Sequence, residues 1–115
     1  MPLDTIAIVR RLLDNADTLI HKTTLSDTQR QFVVNIQDAT EQLRDLILII
    51  PNFPSERARQ LLDYEGRSHL NNITGYSEML LDEFDGTLDN FQRSLINIIY
   101  NSSQALLSHL NEMVG

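Results

Sequence analysis

The chain has 115 residues, no cysteine, and sixteen acidic residues against nine basic ones, a formal charge of -7. So acidic a chain does not hold nucleic acid or an anionic membrane through its overall field, and the missing cysteine excludes disulfides, thiolate metal sites and a cysteine nucleophile. The length suits one domain with a sizeable core, and a 42% hydrophobic content is too high for a disordered tail.

The apolar period is helical throughout. In the first segment Ile6, Val9, Leu13, Ala16 and Ile20 recur at spacings of three and four, with Asp4 as the expected N-cap. The pattern fails at Lys22-Thr23-Thr24. Ser26-Asp27-Thr28-Gln29 then reads as a capping box, in which Ser26 caps and Gln29 reaches back. Behind it Phe32, Ile36, Ala39, Leu43, Leu46 and Ile50 form a second stripe. The run Leu46 to Ile50 has strand-like propensity but continues the same period, so it reads as the buried end of a helix. It is far shorter than the ~20 residues that span a membrane.

Pro51-Asn52-Phe53-Pro54 must break the helix. Ser55-Glu56-Arg57 restarts one. Its stripe is Leu62, Gly66, His69 or Leu70, Ile73, Tyr76 or Ser77, Leu80 and Phe84. Asp85-Gly86-Thr87 is a turn, and Asp89 with Gln92 is a further N-cap pair. Phe91, Leu95, Ile98, Ser102, Ala105 or Leu106, His109 and Met113 carry the fourth stripe. Gly66 and Gly75 stand inside the third helix, where the plain reason for Gly75 is close helix packing.

Four such stripes joined by short loops predict an all-α, antiparallel up-down-up-down four-helix bundle made of two helical hairpins. Residues 1–50 form the first hairpin, 51–54 the proline linker and 55–115 the second hairpin. A weak internal repeat agrees. Residues 25–47 set against 88–110 share Leu25, Gln29, Arg30, Ile36 and Leu43 and keep the apolar phase. The leading helix of the first hairpin reads shorter than that of the second, roughly 19 residues against roughly 30 at the usual helical rise.

The stretch Tyr64-Glu65-Gly66-Arg67-Ser68-His69-Leu70-Asn71-Asn72-Ile73-Thr74-Gly75-Tyr76-Ser77-Glu78-Met79-Leu80-Leu81 is more specific. It resembles the first helix of the dimerisation and phosphoacceptor (DHp) domain of sensor histidine kinases. That family reads His-Glu-Leu-Arg-Thr-Pro-Leu-Asn, a short apolar spacer, Gly-Tyr-Ser-Glu and a leucine pair. Glu65, Arg67, Leu70, Asn71, Ile73, Gly75, Tyr76, Ser77, Glu78 and Leu80 fall in register without a gap, and the resemblance covers about residues 60–113. The departures are specific too. The phosphorylated histidine falls on Tyr64, the motif leucine on Gly66, the threonine on Ser68 and the proline on His69. A phenol has no imidazole nitrogen to accept phosphate, and no nucleotide-binding boxes follow in these 115 residues. The resemblance therefore implies the docking surface of a histidine kinase without its chemistry.

In the family this surface binds the receiver domain of a response regulator. Gln60, Tyr64, Ser68, Asn71, Gly75, Glu78 and Asp82 share one outward helix face at three-four spacing. With Glu65 and Arg67 they are the candidate partner-binding residues. The expectation is a non-catalytic, cytoplasmic signalling module that binds a receiver domain or a histidine kinase, as scaffold, titrator or inhibitor. It has no catalytic residue, metal or cofactor, and no nucleic-acid or membrane partner. The first alternative is enzymatic: a phosphotransferase using His69, or a receiver phosphatase using Glu65 and Ser68. The second is a structural or oligomerisation domain of a larger signalling protein. His69 turns toward the core stripe and reads as a structural histidine. His21 and His109 sit near helix ends without metal-spaced partners. Asp82, Glu83 and Asp85 read as a solvated acidic helix end. One chain supplying both hairpins is the first reading of assembly, and a homodimer through residues 55–115 is its rival. The short first helix has no counterpart of the Tyr64 region, so the docking face is expected once per chain.

Overall fold

The computed structural model describes residues 3–49 and 55–114. It is all-α and compact, 45 × 22 × 19 Å, with no strand among the described residues. The helices are α1 (Leu3–Lys22), α2 (Asp27–Ile49), α3 (Glu56–Leu81) and α4 (Asn90–Val114). Each packs on its sequence neighbours, and α4 closes back on α1, so the four form a ring. Neighbours run antiparallel: Phe32 of α2 meets Tyr76 of α3, Thr74 of α3 meets Ser103 of α4, and Thr5 of α1 meets His109 of α4. No helix among the described residues is long and apolar enough to cross a membrane.

Both expected capping boxes form. The Ser26 hydroxyl accepts from the Gln29 N–H at 3.1 Å, while Gln29 Oε1 accepts from the Ser26 N–H at 2.9 Å. Asp89 and Gln92 repeat the exchange at 2.7 and 3.0 Å. Ser55 caps α3 through the Ala58 N–H. Asp4 does not cap α1, because α1 already includes Leu3 and Asp4 lies in its first turn.

The core follows the expected period with its centre rotated. In α1 the buried residues are Thr5, Val9, Leu12, Ala16, Leu19 and the expected Ile20, while the expected Ile6 and Leu13 flank the line half-buried. In α2 it is Gln29, Val33, Ile36, Ala39, Thr40, Leu43 and Ile47, with Phe32 and Leu46 at the flank. In α4 it is Gln92, Leu95, Ile96, Ile99, Ser102, Ser103, Leu106 and Leu110, so Ile98, Ala105, His109 and Met113 are only half-buried and Phe91 is exposed. Each helix is flanked by two others, so its burial centre lies between them. Small hydroxyl residues fill that centre by bonding backward: Thr40 to the Ile36 carbonyl and Ser77 to the Ile73 carbonyl, both at 2.7 Å.

The end of α2 is not the buried one expected. Ile47 is buried, but Leu48 and Ile49 are 51% and 52% exposed. Ile50 and the proline break at 51–54 lie outside the described residues. The α3 helix has 26 residues against 20 for α1, a smaller difference than expected. It stops at Leu81, ahead of Phe84, which is largely exposed and stacks on Phe32. The following turn holds Glu83 and Asp85 at φ 58° and Gly86 at φ 153°. Gly86 is required there, because a Cβ would sit 2.5 Å from Gln29 Nε2.

The repeat runs deeper than the sequence identities. Residues 63 apart in α2 and α4, and 61 apart in α1 and α3, match in burial along both pairs; the second loop holds two extra residues. Val9, Leu12, Ala16 and Leu19 pair in this way with Leu70, Ile73, Ser77 and Leu80, all buried. The polar contacts match as well. Gln29 donates to the Thr87 carbonyl of the opposite loop, and Gln92 to the Thr24 carbonyl. Arg30 donates to the Ile20 carbonyl and Arg93 to the Leu81 carbonyl, each at 3.2 Å. The two helix pairs are thus related by an approximate two-fold within one chain.

Candidate functional site

The outward face of α3 and its C-cap carries Gln60, Tyr64, Asn71, Glu78 and Asp82, all exposed, with Gly75 half-buried among them; Ser68, also exposed, stands at the edge of this face and lines the groove toward α2. Leu62, Gly66, Leu70, Ile73, Ser77 and Leu80 fix this orientation by filling the core on the opposite side. Tyr64 is 77% exposed, which leaves its ring free to contact a partner.

Gly66 lies in the core as its place in the stripe implied, whereas Gly75, expected to be a packing glycine, is not one. Gly66 is the packing glycine: a Cβ there would lie 3.3 Å from both Leu110 methyl carbons and 3.7 Å from Leu43 Cδ1. Gly75 has nothing within 4 Å of its missing Cβ. It forms the floor of a shallow notch edged by Asn71, Asn72, Tyr76 and Met79. The sequence reading missed Met79 and Tyr76 as its walls, although Met79 stands one turn beyond Gly75.

Glu65 and Arg67 do not join the outward row. Arg67 turns toward α4, where its Nε donates to Asp63 Oδ1 at 2.5 Å and its Nη2 donates to Asn111 Oδ1 at 2.7 Å. Glu65 turns the other way, with Oε2 at 4.0 Å from His69 Nε2. His69 itself is held between α3 and α2, its side chain 14% exposed, in a polar groove shared with Asn35, Asp38, Gln42 and Tyr76. The α2 residues of this groove carried no sequence signal, since only packing brings them beside α3. A groove between α1 and α4 occupies the equivalent place by the approximate two-fold, with Ile8 standing where the first has His69.

The remaining histidines are tied locally. His109 Nδ1 lies 2.7 Å from the Thr5 hydroxyl. His21 does have a carboxylate neighbour, Asp17 one turn earlier at 3.2 Å, and both are exposed. In the acidic turn Glu83 pairs with Arg93 at 2.5 Å, and Asp82 closes α3 through its N–H to the Glu78 carbonyl. No group of three His, Cys, Asp or Glu among the described residues is placed to hold a metal ion.

No family model, curated protein or solved structure matches the chain. The physical character of the site therefore rests on α3 itself: a long exposed row, aromatic at one end, recessed at Gly75 and acidic at the other end.

Proposed function

We propose that this protein is a non-catalytic signal-transduction module of two-component type, a DHp-like four-helix bundle that binds a receiver domain on the outward face of α3. The observation that carries the reading is the exposure of Tyr64, at the position of the motif's phosphorylated histidine, in line with Ser68, Asn71 and Gly75. Tyrosine offers a large contact area at small entropic cost and no imidazole to phosphorylate. The approximate two-fold supports the reading that one chain supplies both hairpins, so a second copy is not needed to complete the core. Such a module acts in the cytoplasm by titrating a response regulator, scaffolding a relay, or occupying a kinase's partner.

The enzymatic readings find less support. The His69 ring is mostly covered in the α2–α3 groove, and although Ser68 edges the same groove, Glu65 Oε2 turns toward His69 at 4.0 Å.

The test is binding of individually purified receiver domains from the source organism to wild-type protein and to Asn71→Arg. That substitution sets a long cation in the middle of the exposed row without touching the core, and circular dichroism verifies the fold. We expect at least one receiver to bind wild type and to lose at least tenfold in affinity with the variant. Equal binding by both, or binding of no receiver, overturns the proposal.

A further inference from the structure

We infer that the molecule is an internal dimer with a single open docking face, so that each chain takes one receiver domain. The inference rests on the docking reading above. The approximate two-fold gives α1 a face equivalent to that of α3, with Ala7, Arg10, Asp14 and Asp17 at the places of Ser68, Asn71, Gly75 and Glu78. All four α1 residues are exposed. The shortness of α1 is therefore not what removes the second face, because the equivalence extends back to Leu3 opposite Tyr64.

Besides Leu3 at the place of Tyr64, what differs is the centre of the row. Gly75 leaves an open notch with nothing within 4 Å of its missing Cβ. At the equivalent point α1 places the carboxylate of Asp14, and one turn earlier the long cation of Arg10. An apolar side chain from a partner helix fits over Gly75, but over Asp14 it strips water from an exposed charge and returns no partner for it. Beyond the notch α3 carries Glu78 and Asp82, with no lysine or arginine between Arg67 and Leu81. The occupant is accordingly a receiver helix that sets one apolar side chain over Gly75 and basic side chains over Glu78 and Asp82.

Calorimetric titration of each purified receiver domain into wild type, Gly75→Leu, Asn71→Arg and the double variant Arg10→Ala/Asp14→Ala tests this. We expect one site per chain in wild type. Gly75→Leu, whose side chain enters open space, folds normally and loses at least tenfold in affinity, and the α1 double variant keeps the wild-type affinity and stoichiometry. Two sites per chain overturn the inference, as does unchanged binding by Gly75→Leu or weakened binding by the α1 variant. If Asn71→Arg still abolishes binding in those cases, the docking reading survives and only the asymmetry falls. Absence of binding by every receiver overturns both. Self-association by sedimentation that Gly75→Leu abolishes assigns the notch to a second copy and also overturns the inference.

Discussion

Replacing Gln92 by alanine tests whether the reciprocal loop contacts hold this end of the molecule. Gln92 is 4% exposed and makes two side-chain bonds, accepting from the Asp89 N–H at 3.0 Å and donating to the Thr24 carbonyl at 2.8 Å. Each bond contributes about 1 kcal/mol net, and the lost burial of the Gln92 side-chain methylene adds a fraction more, so Gln92→Ala should cost about 2–3 kcal/mol. Gln29→Ala removes the equivalent pair, but its cross-loop bond is longer, 3.3 Å, and the cost should be nearer about 2 kcal/mol. Gln92→Glu separates the two contributions. It keeps the acceptor for Asp89 and loses the donor to Thr24, setting a carboxylate against a carbonyl, so it should destabilise at least as much as alanine. Urea unfolding at constant m reads the difference, and with m of about 1–3 kcal/mol per molar a shift of about 1–2 M is expected for Gln92→Ala. A Gln92→Ala variant within about 0.5 kcal/mol of wild type, the range of an ordinary surface substitution, would refute the reasoning.

Three further outcomes follow from the same geometry. Gly75→Ala should raise stability by up to ~1 kcal/mol, since helix propensity improves and no atom is crowded, and thermal unfolding should move up accordingly. Gly86→Ala should lower stability by about 1–3 kcal/mol through its positive φ and the close approach of Gln29; adding Gln29→Ala should recover the steric part alone, which a double-mutant cycle in urea measures. Leu12→Ala and Ile73→Ala, equivalent positions with no exposure, should each cost about 2–5 kcal/mol and agree within about 1 kcal/mol if the two helix pairs share the core equally.

Much of the helical plan was legible in the residues because its signals are local. Ser26 with Gln29 and Asp89 with Gln92 announce helix starts through side chains that reach only three residues, and the structure keeps both. Rotation of the stripes was not legible. The apolar faces of α1 and α4 are broad, and only the placement of two flanking helices selects Leu12 over Leu13, or Ile99 over Ile98. The glycines show the same limit. Helical spacing put Gly66 in the core stripe and Gly75 on the outward row, but it did not show that Gly66 meets Leu110 or that nothing packs on Gly75. At the site, helical spacing placed Tyr64, Ser68 and Asn71 on one open face. It did not reveal that Arg67 is tied to Asn111 or that Glu65 leans to His69, because those partners depend on neighbours one turn away or on another helix.

The central claim is a receiver-docking surface without phosphotransfer chemistry. The most direct measurement mixes a radiolabelled phospho-receiver that binds the protein with wild-type protein, His69→Ala or Asn71→Arg. It follows label on both chains and the rate of transfer to that receiver from its own kinase. The account predicts that wild type and His69→Ala slow the kinase reaction equally, that Asn71→Arg does not, and that no label reaches this protein or leaves the receiver faster. Label appearing on wild type but not on His69→Ala, or phosphate lost faster from the receiver in the presence of wild type, would contradict it.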